Sequence, residues 1–172
     1  TSIGDYAFYY CSSLISVTIP DSVTSIGRSA FVGSTSLKAF YGKYASADNR
    51  CLIVDGVLTS FAPAGLTEYT IPDSVTSIGD YAFCECRSLT SVTIPDSVTS
   101  IGEYAFFYCT SLTSVYCKPT TPPTAVLVGN EWNAFNNNAS GRKIYVPTTS
   151  VSAYKSAPGW SNYRADIVGY DF

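Results

Sequence analysis

Histidine is absent from the 172 residues, which removes Ser-His-Asp and Cys-His nucleophile arrangements and most catalytic zinc sites. No phosphate-cradling P-loop and no dinucleotide glycine fingerprint occurs either. Charge is scarce: Asp, Glu, Lys and Arg make up 13% of the chain, about half the usual share. The Lys and Arg are scattered and the net charge is −3, so the clustered positive charge that nucleic acid demands is missing. No apolar run approaches the ~18 residues of a membrane span, and the given residues carry no signal-peptide pattern. With 46% apolar residues and few charges, the surface has to be built largely from Ser, Thr, Tyr and Asn.

What the chain does have is repetition. The stretch Leu89 to Cys109 reads Leu89-x-x-Val92-x-Ile94-Pro95-x-x-Val98-x-x-Ile101-Gly102-x-x-Ala105-Phe106-x-x-Cys109. Its leading leucine recurs at Leu14, Leu37, Leu66 and Leu112, with Gly141 in the equivalent place, in steps of 23 or 29 residues. A fixed period in the twenties means a solenoid, whose coils cannot bury their apolar side alone and must stack. Thr1-Ser2-Ile3-Gly4 matches Thr99-Ser100-Ile101-Gly102, halfway through a coil. The native chain is therefore expected to extend further at its N-terminus, with an export signal upstream.

In each coil, alternation over phrases such as Val17-Thr18-Ile19 predicts a short strand with one buried face. Pro20-Asp21-Ser22 and its copies predict a turn. Gly27 marks a place where the chain needs a conformation that other residues resist, and Arg28-Ser29-Ala30-Phe31 reads as one helical turn. In the first, partial coil, Ile3, Ala7, Phe8 and Cys11 are expected to face the core, with Tyr9 and Tyr10 outside. The coil from Leu37 is six residues longer and lacks the Ile-Gly-x-x-Ala-Phe phrase. Asp55-Gly56 between two β-branched runs predicts a hairpin there, replacing the helical turn. The last long coil carries Pro119-Thr120-Thr121-Pro122-Pro123, a stiff excursion, and regains the phrase at Trp132-Asn133-Ala134-Phe135. Residues 148–172, with a short helix capped by Ser150, are expected to close the stack formed by residues 1–147.

Cys11, Cys86 and Cys109 share one repeat position and Cys117 stands where Ile94 stands, so all four read as buried free thiols. The roughly 4.8 Å between coils exceeds the Cβ separation a disulfide prefers. Cys51 and Cys84 break the pattern and are not assigned a place. A zinc site from Cys84, Cys86, Cys109 and Cys117 would have C-x-C rather than the common C-x-x-C spacing, and no metal or other cofactor is expected.

The strand register places Thr18, Tyr41, Thr70, Thr93, Tyr116 and Tyr145 in one outward stripe, flanked by Ser16, Ala39, Glu68, Ser91, Ser114 and Lys143. Two readings of it stand side by side. Tyrosines give interfaces large contact area at low entropic cost, and Thr and Tyr are also simply good strand residues on a solvated face. Tyr9, Tyr10, Phe107 and Tyr108 form a second outer patch. The recurring carboxylates at Asp21, Asp73 and Asp96, and at Asp5, Asp80 and Glu103, could hold calcium or act on glycosides, but turn chemistry and helix-end electrostatics account for them more simply.

The phrase LxxVxIPxxVxxIGxxAFxxC resembles the BspA-like, or Treponema pallidum-type, leucine-rich repeat family over nearly the whole chain. The resemblance implies a right-handed leucine-rich repeat solenoid, here of about six coils, with a parallel β-sheet on one face, short helical turns and one β-hairpin on the other, and a C-terminal cap. It also implies a cell-surface or secreted protein of a host-associated bacterium, in a family associated with adhesion to host matrix proteins and coaggregation. The expected function is a non-enzymatic, monomeric module binding host extracellular or bacterial surface proteins, or glycans, through Thr18, Tyr41, Thr70, Thr93, Tyr116, Tyr145, Glu68 and Lys143. No nucleic acid binding and no membrane insertion are expected. The alternatives are a spacer displaying another domain, and a carbohydrate-binding or carbohydrate-active solenoid. The thrice-repeated Asp-Ser-Val also resembles an O-glycosylation acceptor of gut anaerobes, although the turn explains it equally well.

Overall fold

The computed structural model describes residues 1–126 and 133–172. Its coils stack through main-chain hydrogen bonds on three sides. On the first side lie β2 (Ser16–Ile19) and β4 (Ala39–Gly42), paired in parallel, and a five-stranded parallel sheet of β7 (Glu68–Thr70), β9 (Ser91–Ile94), β11 (Ser114–Cys117), β13 (Lys143–Pro147) and β14 (Ile167–Tyr170). Period-two alternation drives these strands: Val92 and Ile94, for example, are buried while Ser91 and Thr93 point outward. The strand β14, from the C-terminal segment, continues the stack beyond the six strands read from the repeats.

The second side is a sheet that the sequence reading did not include. The Ser-Ile of each Thr-Ser-Ile-Gly phrase forms a two-residue strand: β1 (Ser2–Ile3) pairs β3 (Ser25–Ile26), and β8 (Ser77–Ile78) pairs β10 (Ser100–Ile101), which β12 (Thr124–Ala125) of the last long coil joins. The hairpin at Asp55-Gly56 forms as β5 (Cys51–Val54) and β6 (Val57–Phe61), and β6 joins this sheet by pairing Val57 and Leu58 with Ser77 and Ile78. Gly27 and Gly102 are glycine because of crowding rather than φ. A Cβ on either would lie 2.4 to 2.6 Å from the main chain of the preceding coil.

The third side replaces the expected helical turns. Segments such as 28–33 are hydrogen-bonded turns in which Tyr6, Ser29, Tyr81 and Tyr104 share a repeat position and a positive φ of 54 to 58°. Four residues on, Tyr10, Glu85, Tyr108 and Asn137 repeat the feature. A helical turn would spend its N–H groups within its own coil. The left-handed residues instead aim alternate N–H groups at the next coil: Tyr6, Phe8 and Tyr10 donate to the carbonyls of Arg28, Ala30 and Val32, and Tyr81, Phe83 and Glu85 to those of Glu103, Ala105 and Phe107. The left-handed cost, about 1 kcal/mol or more per non-glycine residue, is offset by a third ladder.

The long coil interrupts all this. The carbonyl of Asn49 accepts from Phe40 N–H at 2.7 Å, so a loop, and not β7, occupies the edge of β4. That loop is tied to β7 by Asp48, which accepts from Tyr69 Oη at 2.9 Å, from Ser46 Oγ at 2.5 Å and from the Arg50 amide at 3.1 Å. The hairpin acts as a wall between two apolar cores. Neighbouring Cys51 and Leu52 point into different ones, the first with Leu58, Phe61 and everything C-terminal, the second with Ile19, Phe31, Phe40 and Ala62. Phe61 supplies the ring that the missing Ala-Phe phrase would have given and packs on Phe83 at 4.6 Å, continuing through Phe106 and Phe135.

The C-terminal segment, a 3-10 turn (Thr148–Ser150), α1 (Val151–Ser156), a second 3-10 turn (Trp160–Tyr163) and β14, packs on the last coil. Ser150 does not cap α1. Its hydroxyl donates to Thr120 O, while Tyr154 and Trp160 donate to Pro119 O and Pro123 O, all at 2.7 Å. The proline-rich excursion thus has its carbonyls satisfied by buried cap side chains. Trp132 lies outside the described residues.

Cys11 differs from expectation. It is exposed, as is Ala7, while Ile3 and Phe8 are half-buried, because only the following coil packs against them. Its repeat position also has a job beyond filling space. Cys109 Sγ donates to Phe83 O at 3.0 Å, Ser34 Oγ to Phe8 O at 2.9 Å and Asn138 Nδ2 to Phe106 O at 2.7 Å. Each satisfies the phenylalanine carbonyl one coil earlier.

Replacing Cys109 by Val keeps its apolar volume but orphans that carbonyl, and is expected to cost about 1–3 kcal/mol in urea denaturation; Cys109→Ser, which keeps a donor, should cost less than Cys109→Val. Burial alone would raise the Asp48 carboxyl, but the hydrogen bonds from Ser46, Arg50 and Tyr69 outweigh it and hold it below its ordinary value. A carboxylate lowered by folding stabilises the fold above its unfolded pKa of about 4 and loses that contribution as pH falls through the lower folded value. The difference in urea midpoint between wild type and Asp48→Asn should therefore be present at neutral pH and shrink in acid.

Candidate functional site

The outward row of the first sheet is assembled by register. Thr18 sits beside Tyr41, and separately Thr70, Thr93, Tyr116 and Tyr145 follow one another strand by strand. Glu68, Ser91, Ser114 and Lys143 make the parallel row. Thr18, Tyr41, Glu68 and Thr70 are exposed; Thr93, Tyr116, Tyr145 and Lys143 are half-buried. The stripe is not continuous. Because the Ser46–Arg50 loop covers the edge of β4, Thr18 and Tyr41, the latter 47% exposed, form a short field of their own.

At the other end the tyrosines gather. Tyr116 and Tyr145 stack with centroids 4.8 Å apart, and Tyr170 meets both edge-on at 5.4 and 5.6 Å. Phe172 packs on Tyr170 at 5.0 Å. Tyr170 is 42% and Phe172 51% exposed, so this is an aromatic surface with four members. Beside it opens a cleft of about 540 Å³, bordered by Asp96, Lys118, Thr148 and Asp171. The sequence reading found Tyr116 and Tyr145 but missed Tyr170 and Phe172, since it treated the tail as cover for the core. The available signal was the Ile167-Val168-Gly169-Tyr170 run, which aligns with Ile144 to Pro147 as another parallel strand.

The second patch also divides. Tyr9 stands against Tyr6 and Tyr10 at one end of the turn face, and Phe107 against Tyr104 and Tyr108 further along. The carboxylates of that face serve the stacking: Asp5 accepts from Arg28 N–H at 2.7 Å and Asp80 from Glu103 N–H at 2.9 Å. Asp21, Asp73 and Asp96 remain exposed in turns.

Five cysteines are buried and all six are free. Burial pushes the thiols of Cys51, Cys84 and Cys117 up to about 12, and that of Cys86 well above its ordinary value, whereas a metal ligand has to be a thiolate. Cys117 is turned to Tyr154 Oη at 3.4 Å. Cys51 faces Tyr69 Oη at 3.2 Å, and Cys84 occupies the repeat position of Val32 and Phe107. Among the described residues no three His, Cys, Asp or Glu side chains are gathered as a metal site would require. No helix among them is long and apolar enough to cross a membrane.

The repeat, its three ladders and its inward phenylalanine stack identify the chain. A model described as the BspA type leucine-rich repeat region matches residues 1–46 and 58–157 in six copies. The chain belongs to the BspA-type leucine-rich repeat family. The gap in the match, residues 47–57, falls on the covering loop and the hairpin. Among solved structures, the BspA-type chain is similar to a leucine-rich cell surface protein from Faecalibacterium prausnitzii (TM-score 0.61, 23% identity, 100% of this chain and 52% of that one). It is also similar to the leucine-rich repeat protein of T. pallidum (TM-score 0.50, 24% identity, 99% and 78%) and to one from Eubacterium ventriosum (TM-score 0.51, 23% identity, 91% and 50%). The chain thus spans about half the length of the Faecalibacterium protein. At these identities the likeness concerns the fold. No curated protein matches the sequence.

The placement of the thiols has a direct chemical consequence. In the native protein one of the six, Cys11, is expected to react promptly with an aromatic disulfide reagent, and the other five only as fast as the fold opens. Stopped thiol titration with and without denaturant measures this.

Proposed function

We propose that this BspA-type module is a non-enzymatic binding element of a cell-surface or secreted bacterial protein, and that it engages other proteins through the aromatic end of its first sheet. The observation that carries the reading is the aromatic group of half-buried Tyr116 and Tyr145 with exposed Tyr170 and Phe172. Elsewhere the outward row is mainly Thr and Ser, which a solvated strand face explains. Here four rings from three neighbouring strands and the C-terminus converge, next to a cleft with charges of both signs. Rigid aromatic anchors with a polar rim are what carry energy in protein interfaces.

The stack that presents them is stiff, because Tyr116, Tyr145 and Tyr170 stand on strands paired one to the next. Little entropy is therefore lost on docking. Longer arrays would add avidity. Support for a surface location comes from the described role of the Faecalibacterium protein as a cell surface protein.

The test is binding of the chain to an immobilised extracellular-matrix extract and to intact bacterial cells. The triple variant Tyr116→Ser, Tyr145→Ser, Tyr170→Ser is expected to lose at least about 30-fold in affinity, equivalent to one to two interface hot spots, whereas Thr18→Ala and Thr70→Ala change it little. Equal binding by the triple variant would overturn the assignment.

A further inference from the structure

Where the aromatic surface meets the cleft beside it, two rings form a corner. Tyr170 and Phe172 stand 5.0 Å apart with their planes at 65°, and both border the cleft of about 540 Å³. From Phe172 through Tyr170 to Tyr116 the ring centroids step 5.0 and then 5.4 Å. Tyr145 supports the same Tyr170 ring at 5.6 Å, so the corner rests on side chains of strands paired one to the next. Asp96, Lys118 and Asp171 bring charge to the border of the cleft, and Pro147 adds a further apolar ring.

The hydrogen-bonding capacity left over at this place is one-sided. The hydroxyls of Tyr116, Tyr145 and Tyr170 make no hydrogen bond among the described residues, and the ammonium group of exposed Lys118 makes no ion pair there. Phenols and ammonium groups donate. The neighbouring acceptors are partly committed already: Thr120 O accepts from Ser150 Oγ at 2.7 Å, and Asp171 Oδ1 accepts from Thr148 Oγ1 at 2.8 Å. The carboxylate of Asp96, exposed in its turn, and the second oxygen of Asp171 are suited to a cationic side chain.

We propose that the ring corner and its cleft receive a proline-rich segment of the partner protein, in the polyproline II conformation and flanked by a basic residue; this rests on the reading of the aromatic end as the binding surface. The chemistry of such a segment mirrors that of the cleft. Proline has no N–H to satisfy and keeps its carbonyl. A polyproline II chain makes no internal hydrogen bonds, so its carbonyls are free to accept from the tyrosine hydroxyls and from Lys118. An ordinary extended segment brings an N–H at every residue, which these donors do nothing to satisfy. The pyrrolidine rings pack on the aromatic side chains, as proline-rich segments do in aromatic-lined grooves. One turn of the segment rises ~9 Å, on the scale of the run from Phe172 to Tyr116. A flanking Arg or Lys meets Asp96 and Asp171. The segment is extended before it binds, so docking costs little ordering.

Fluorescence anisotropy with the capped, labelled peptide Arg-Pro-Pro-Pro-Pro-Pro-Pro-Arg tests the proposal against the same peptide carrying alanine for every proline. The proline peptide is expected to bind at least about tenfold more tightly than the alanine peptide, and to lose at least about tenfold for Tyr170→Ser and for the C-terminal Phe172→Ala. Asp96→Asn is expected to weaken the arginine-ended peptide about threefold and to leave a glutamine-ended one unchanged. Excess proline peptide should also displace the chain from the matrix extract. Equal binding of the alanine peptide, or proline-peptide binding indifferent to both Tyr170→Ser and Phe172→Ala, would overturn the inference. Matrix binding that needs the three tyrosines but resists displacement by the peptide overturns this inference alone and leaves the wider assignment standing, whereas matrix binding indifferent to those tyrosines is the separate failure of that assignment.

Discussion

Main-chain hydrogen bonding from coil to coil is the constraint on which the rest of this protein depends. A chain this poor in charge has few ion pairs to rest on, and a single coil has neither an interior nor a partner for its polar backbone. Three ladders solve both problems at once. Two are ordinary parallel β pairings, one long and one of only two residues per coil. The third depends on left-handed residues such as Tyr6, Tyr10, Tyr81, Glu85 and Tyr108, whose amides turn toward the neighbouring coil. The glycines at 27 and 102 exist for the same reason, because they let successive main chains approach closely enough to pair.

The inward side chains follow the same rule. Phenylalanines stack from coil to coil, and the residue three after each of Phe31, Phe106 and Phe135 bonds the phenylalanine carbonyl of the coil before. Cys109, Ser34 and Asn138 all do so. A thiol, a hydroxyl and an amide are interchangeable in that role, although they look unrelated as apolar or polar residues. What varies freely is whatever points away from the ladders, and there the tyrosines of β11, β13 and β14 accumulate.

The long coil shows what happens when the rule is broken once. Its hairpin divides the core in two, Phe61 keeps the ring stack going from an unrelated position, and the Ser46–Arg50 loop seals the edge of β4 with a hydrogen-bonded carboxylate. The turn ladder alone is not repaired. The N–H groups of Phe31 and Gly33 and the carbonyls of Ala82 and Cys84 have no main-chain partners among the described residues, and Arg28 reaches Asp80 and Glu103 across the break.

Much of this was legible beforehand. Leu89 to Cys109 fixes the period, the Val-x-Ile alternation fixes which strand residues are inside, and Asp55-Gly56 fixes the hairpin, because each depends on spacing within a single coil. The outward direction of Thr93, Tyr116 and Tyr145 follows from the same alternation. The turns were misread as helical because Ala-Phe flanked by polar residues suits a helix locally, and only the neighbouring coil makes a left-handed residue worth its strain. Cys11 was misplaced because burial requires a coil on both sides. Tyr170 was signalled only by the Ile167–Tyr170 run, and Phe172 and the split of the stripe could not be read from spacing at all. The sequence by itself determined the repeat, its inside and its outside; tertiary structure decided which coils meet, since pairing partners 23 or more residues apart are set by stacking and not by any local preference.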